Sequence, residues 1–323
     1  MNAAPAPRVV VAILTFRRPA ELAACLAAVQ AHLDARLPGA EILVVDNDPA
    51  ASAREVVQDA ASASSRLIQY RVEPRPGIAA ARNRALDEAG DHDVLVFLDD
   101  DERPTAEWIT PLVDTWRATA AAAVVGRVVS VFASALDPWV AAGEFFRRRR
   151  MPTGTPITVG AAGNLLLDLA AVRGLGVRFD ERLALGAGED SLFTASLGRA
   201  GGRMVWCDES VATDHVPAER MTRQWVLERA RSHGNTEAVV DLLLATSAPQ
   251  RGWLRARAAV RGSARVAAGL ARFAVGVVIQ SHRHQARGLR TAYRGIGIAS
   301  SAAGVVVQEY ARDEAHRAVP THA

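Results

Sequence analysis

Residues 94–101 read VLVFLDDD: five apolar residues run straight into three aspartates. A continuous β-branched and aliphatic run of this length suits a strand buried on both faces of a parallel sheet. The same grammar recurs outward from it. VVVAIL (9–14) runs into Thr15-Phe16-Arg17-Arg18-Pro19, EILVV (41–45) into Asp46-Asn47-Asp48-Pro49, and Leu67 to Val72 into Glu73-Pro74-Arg75-Pro76-Gly77. Between the runs, Pro19 sits well at a helix start and Leu22, Leu26 and Val29 repeat at helical spacing, while Ile78 to Ala89 reads as a further helix. Strand and helix alternating four times predict an α/β fold, with a mostly parallel central sheet flanked by helices. Beyond it the pattern is less regular. Ala123 to Val131, Gly163 to Leu167, Arg203 to Cys207 and Val211 to Asp214 read as strands. Glu189 to Ala200 and Met221 to Leu244 read as helices, and Phe145 to Arg150 as a loop.

The 323 residues are half apolar, room for one large α/β domain with an appendage or for two modest domains. All 38 basic residues are arginine. Without a lysine there is no P-loop lysine, no pyridoxal-phosphate Schiff base and no kinase-type strand lysine. The charge is unevenly spread: between Asp241 and Glu309 stand ten arginines and no acid, leaving 28 arginines against 35 acids elsewhere. Cys25 and Cys207 make neither a metal spacing nor a disulfide framework, which fits a reducing compartment. Met1 to Pro7 lacks the features of a secretory leader, and no apolar run reaches the eighteen residues of a spanning helix. The expectation is a cytoplasmic protein, peripheral at most on the inner face of the membrane.

In open α/β sheets ligands bind beyond the carboxyl ends of the strands. Thr15, Asp46 and Asp99-Asp100-Asp101 fall at such ends. Three adjacent carboxylates repel one another, and Mg²⁺ or Mn²⁺ commonly bridges such groups to substrate phosphates. A solvated polar turn is the plainer reading. The bland alternative for Asp46 is a bare turn or helix cap, and for Arg82 a surface ion pair. Glu189-Asp190 open a helix after Gly186-Ala187-Gly188, where the helix dipole favours carboxylates, so capping stands beside catalysis. Trp206 and Trp225 read as core or as sugar-stacking rings.

Taken in order, Thr15 to Pro19, Val44 to Asp48, RPGIAAARN (75–83), the Asp triad and Gly188-Glu189-Asp190 resemble family 2 glycosyltransferases. The resemblance covers about residues 8–240. It is nearest to bacterial succinoglycan-type exopolysaccharide enzymes through EPRPGIAAARNRAL (73–86), FLDDDERP (97–104) and VPAERMT (216–222). It implies the GT-A (nucleotide-diphospho-sugar transferase) fold over residues 8–245, with a nucleotide half to about 118 and an acceptor half after it. It implies an inverting, metal-dependent hexosyltransferase, moving sugar from a nucleotide-diphosphate donor, UDP-linked first, to a glycan or polyprenyl-linked acceptor in cell-surface or exopolysaccharide synthesis. Asp46 would accept from the base, with Thr15 and Arg17 lining the same pocket. Gly77 would permit close backbone approach, and Arg82 would hold the base or phosphate side. Asp99 would lie near the ribose and Asp100 toward the donor sugar. Asp101 would bind Mn²⁺ or Mg²⁺, with His215 completing the site; neutral imidazole suits Mn²⁺ better. Asp190 would be the general base and Glu189 would orient the acceptor. Phe145 to Arg150 would either clamp an acceptor phosphate or stay solvated.

Residues 250–312 are expected as a basic helical tail. Arg257, Arg261 and Arg265, and then Arg283, Arg287, Arg290 and Arg294, fall on helical faces. An anionic membrane surface suits that pattern; packing on the acidic body is the rival, and no nucleic-acid motif accompanies it. Two other functions compete. A sugar-phosphate nucleotidyltransferase would want a Gly-rich basic first loop, which TFRRP is not. A non-catalytic membrane-surface protein on the same fold would not need the Asp triad and Asp190. A dinucleotide oxidoreductase fails for want of GxGxxG after the first strand.

Overall fold

The four apolar runs of the first hundred residues are four adjacent parallel strands. The computed structural model describes residues 6–183 and 188–307. In chain order the elements are β1 (Val9–Thr15), α1 (Pro19–Arg36), β2 (Glu41–Asp46), α2 (Arg54–Ser62), β3 (Ile68–Val72), α3 (Ile78–Glu88), β4 (Val94–Asp99), β5 (Glu102–Pro104) and α4 (Ile109–Thr119). Then come β6 (Ala123–Phe132), α5 (Pro138–Gly143), β7 (Asn164–Asp168), α6 (Leu169–Leu175), α7 (Glu189–Arg199), β8 (Met204–Val216), α8 (Arg223–Leu243), α9 (Ala248–Val278) and α10 (His282–Ala302). One sheet runs β3-β2-β1-β4-β7-β6-β8-β5. β7 is antiparallel to both neighbours, and β5 is antiparallel to β8.

Both faces of the sheet are covered, so the strands need no polar alternation. Val9, Val11 and Ile13 of β1 pack with Leu22, Leu26 and Val29 of α1 and with Ile109 and Leu112 of α4. Val10 and Ala12 point the other way, among Ala81 and Ala85 of α3 and Phe193 and Leu197 of α7. The chain order about β1 reverses between β2 and β4, and in register Thr15 lies beside Asp46 while Leu14 lies beside Asp99. That reversal opens the crevice in which α/β sheets bind ligands.

The reading of two separate strands at 203–207 and 211–214 is corrected. They are one strand, β8, whose ladder with β6 slips between Gly126 and Arg127, leaving Asp208, Glu209 and Ser210 unpaired. Asn164 on β7 braces the slip, donating to the carbonyl oxygens of Arg127 (3.1 Å) and Ser210 (3.4 Å).

The basic segment forms two helices, and its residues 308–312 lie outside the described ones. Glycines let α9 and α10 touch backbone to backbone. A Cβ at Gly269 would stand 2.5 Å from the Ala292 nitrogen, and one at Gly262 2.6 Å from that of Ala299. α10 also lies on α8, where a Cβ at Gly297 would overlap the Arg231 carbonyl oxygen. Ala238, Ala258 and Ile298 of α8, α9 and α10 share a small core. No helix among the described residues is long and apolar enough to cross a membrane.

Candidate active site

The end of β4 sets the floor of a cleft of about 670 Å³. Asp99, Asp100, Asp101 and Glu102 line it from the β4–β5 turn; Arg82 lines it from α3, and Glu189 and Asp190 from α7. Residues far apart in sequence meet because parallel strands deliver their ends to one edge and α7 starts there. β5 pairs with β8, placing Glu102 opposite Asp214, and the His215 amide donates to the Asp101 carbonyl oxygen at 3.2 Å. The aspartate turn is therefore held from both sides.

Its electrostatics are lopsided. Asp99 is half-buried on the cleft, where desolvation, with repulsion from Asp101, Asp100 and Asp190, pushes its carboxyl up to about 7 against the pull of Arg82. Glu102 is buried and raised well above the carboxylate range, by desolvation and then by Asp99, Asp101 and Asp214. Arg18 answers part of this charge: its guanidinium meets Asp100 Oδ1 at 3.2 Å and Asp101 Oδ2 at 3.3 Å. Arg220 meets Asp101 Oδ2 at 3.1 Å. Crowded hard oxygens of this kind fit a divalent cation. Among the described residues no three His, Cys, Asp or Glu side chains are gathered to hold a metal unaided. Such an ion would complete its shell with oxygens of water or of a ligand.

Five of the residues singled out in the sequence stand elsewhere. Thr15 is buried, and its hydroxyl donates to Asp100 Oδ2 at 2.8 Å, so it aims an aspartate instead of lining the cleft. Asp46 is fully buried; Oδ1 accepts from the Asp48 amide (3.0 Å), and Oδ2 from the Ala53 amide (2.9 Å) and the Tyr70 hydroxyl (2.8 Å). Its carboxylate is turned onto the protein's own groups and does not reach the cleft. Arg17 donates through Nε to Asp48 at 3.2 Å and lies beside the Phe16 ring. Gly77 enters α3 at φ 114°, a conformation that suits glycine, with its amide on Asn47 Oδ1 at 3.0 Å. His215 is exposed, its Nε2 3.4 Å from the Thr213 hydroxyl. Strand alternation explains it: Asp214 and Val216 line the cleft, and the residue between them faces away.

Asp190 is half-buried at the second position of α7, its Oδ1 accepting from the Ser191 amide at 2.6 Å. Glu189 is not free to meet an acceptor. It is buried and ion-paired to Arg82 Nη1, while Arg82 Nη2 lies 3.9 Å from Asp99 Oδ1. Arg82 thus ties α7 to the aspartate turn. Trp206 belongs to the core, whereas Trp225 lines the cleft, stacked on Phe146 at 6.1 Å. Sequence reading passed over Arg18, Glu102, Arg220, His233 and Asn47, whose side chain clamps the Glu73–Gly77 turn through the carbonyls of Glu73 (2.8 Å) and Arg75 (2.7 Å). Arg18 and Arg220 lay inside quoted motifs, and Glu102 directly follows the triad. Nothing in the sequence flagged His233.

Residues 10–173 match the family model described as glycosyl transferase family 2. The chain is 34% identical over 228 residues to the succinoglycan biosynthesis protein ExoM of Rhizobium meliloti strain 1021, covering 70% of this chain and 72% of that one. This chain belongs to glycosyltransferase family 2. Solved structures show the glycosyltransferase's fold. A mannosyltransferase of Pyrobaculum calidifontis, in complex with GDP-Man and Mn²⁺, aligns at TM-score 0.61 and 18% identity over 92% of this chain and 87% of that one. S. aureus TarS 1–349 with UDP-GlcNAc aligns at 0.52 and 14% identity over 89% and 91%. The fold is GT-A, as the sequence resemblance implied.

Proposed function

We propose that this glycosyltransferase is metal-dependent and inverting, and that it moves a sugar from a nucleotide-diphosphate donor to a hydroxyl of a glycan or lipid-linked acceptor in exopolysaccharide synthesis. A UDP-sugar is the first donor to test. The observation carrying the reading is one cleft that collects the Asp99–Asp101 turn, Arg82 and Asp190 from three separate segments. The names of the relatives support a nucleotide-sugar donor, a divalent ion and an exopolysaccharide product.

Asp101 and Asp99 would hold Mn²⁺ or Mg²⁺ together with the donor diphosphate. When bound, the ion neutralises charge on the departing diphosphate. Arg82, fixed by Glu189, would hold the donor's phosphate side, and Arg18 and Arg220, now on Asp101, would be the nearest further cations for the same oxygens. Asp190 takes the proton of the acceptor hydroxyl as its oxygen bonds to the anomeric carbon. The bond to the diphosphate breaks with the electron pair leaving on phosphate. Displacement from one face inverts the anomeric centre. Asp46 holds the 46–53 turn, and Asp48 on that turn, with Arg17 from the loop after β1, would shape the nucleoside end of the site.

The test is release of nucleoside diphosphate from a panel of nucleotide sugars, with Mn²⁺, Mg²⁺ or chelator. Asp190→Asn should lower turnover about 10²–10⁴-fold, the usual worth of a general base, and leave donor affinity unchanged. Asp101→Ala should abolish metal-dependent donor binding. Full turnover in Asp190→Asn, or donor binding indifferent to chelator, would overturn the mechanism.

A further inference from the structure

The cleft has a second wall that the mechanism above leaves idle. Arg147 and Arg148 reach it from the loop after α5, Arg229 and His233 from α8, and Arg290 and Arg294 from α10. Phe145, Phe146 and Trp225 lie among them. These groups come from three segments, yet they crowd one imidazole. His233 is pushed down to about 3, by desolvation and then by the charges of Arg229, Arg294, Arg148 and Arg290. The Arg290 guanidinium is itself lowered by burial and by Arg294, Arg287 and Arg147, with Glu144 pulling the other way.

Among the described residues, the carboxylates that reach this wall are shared. Glu144 serves both Arg147 and Arg287. Glu237 serves Arg261 and, at 3.7 Å, Arg294. Arg148 leans across to Asp214, which belongs to the acidic wall. Arg290 spends its Nη1 on the carbonyl oxygens of Gly143 (3.2 Å) and Glu144 (2.9 Å), below the Phe145 ring. Like charges held together by packing, in a concave site beside a neutral imidazole that can donate one N–H, select a compact multivalent anion.

We propose that this wall is a phosphate subsite, distinct from the donor diphosphate site, that takes a phosphate or diphosphate ester carried by the acceptor. The inference rests on the donor reading in one respect: the donor's own diphosphate would be matched by an ion held by Asp99 and Asp101, which would leave the arginines of this wall to a second anion. A plain sugar hydroxyl could accept from them but would leave their charge unanswered. The aromatic rim extends the site from the phosphate toward whatever the phosphate is esterified to.

The experiment is titration of the full-length protein with inorganic pyrophosphate in the presence of chelator, followed by calorimetry and by Trp225 fluorescence. Binding of UDP with Mn²⁺ is measured in parallel. Arg229→Gln/Arg294→Gln should weaken pyrophosphate by about tenfold or more, the worth of one or two charged hydrogen bonds. Arg229→Lys/Arg294→Lys should recover much of it, which a merely structural loss would not. Asp101→Ala should lose UDP–Mn²⁺ and keep pyrophosphate. If UDP–Mn²⁺ binding is absent throughout while pyrophosphate still depends on the arginines, the donor reading fails and the subsite stands. No metal-free pyrophosphate binding, or binding untouched by the arginine changes, would overturn the subsite. A short-chain prenyl diphosphate binding more tightly than pyrophosphate assigns the site to a lipid-linked phosphate, and equal binding assigns it to a soluble one.

Discussion

The two walls of the cleft are built by different means. The acidic wall hangs from strand ends: Asp99 closes β4, Glu102 opens β5, and Asp214 sits opposite it on β8. The basic wall hangs from helix flanks, α8 and α10, and from the loop after α5. A wall made of strand ends is fixed by backbone ladders and announces itself in sequence as an apolar run stopping at charge. A wall made of helix flanks depends on how closely helices approach, and here that is decided by residues with no side chain at all.

The largest effect should come where the acidic wall is tied to α7. Arg82→Ala leaves Glu189 buried without its partner, a loss of about 3–5 kcal/mol for a broken buried pair. Chemical denaturation should show it, and Glu189→Gln/Arg82→Gln should recover part. A smaller loss should follow on the other wall. Gly297→Ala forces a methyl into the Arg231 carbonyl, and overpacking costs about 1–3 kcal/mol. Because α10 must then shift, binding of anions without metal should fall more than binding of UDP–Mn²⁺. Equal falls would mean that the walls are mechanically one unit. The mildest effect concerns the outer side of the tail. Trp253, Val260, Leu270, Val275 and Val278 are exposed on α9, among arginines with no acid nearby in sequence. If this side meets an anionic membrane surface, Leu270→Ser/Val278→Ser should reduce co-sedimentation with phosphatidylglycerol vesicles a few-fold. Binding to zwitterionic vesicles equal to that on anionic ones would refute that contact.

What the sequence discloses follows the same division. Parallel strands covered on both faces appear as VVVAIL or VLVFL, so the order of β1 to β4 and the aspartate turn could be read directly. The start of α7 at Glu189-Asp190 could be read because a helix start after glycine is a local signal. β8 was not, since Asp208, Glu209 and Ser210 leave the ladder and interrupt its pattern. The inward turn of Asp46 was hidden because its partners, Ala53 and Tyr70, are set by tertiary packing. His215 was misplaced for want of the strand's parity: one residue either way would have faced the cleft. The closeness of α9, α10 and α8 was invisible too, because glycine counts for nothing in an amphipathic pattern although it governs how near two helices come.

One contact has a wider consequence. The amide of His215 on the carbonyl of Asp101, beside the β5–β8 ladder, stitches the aspartate turn into the sheet on its far side. A turn secured at one end only would have to surrender motion each time a ligand arrived. Secured at both, it meets every arrival in the same shape, and the affinity gained there is not drained by ordering the loop.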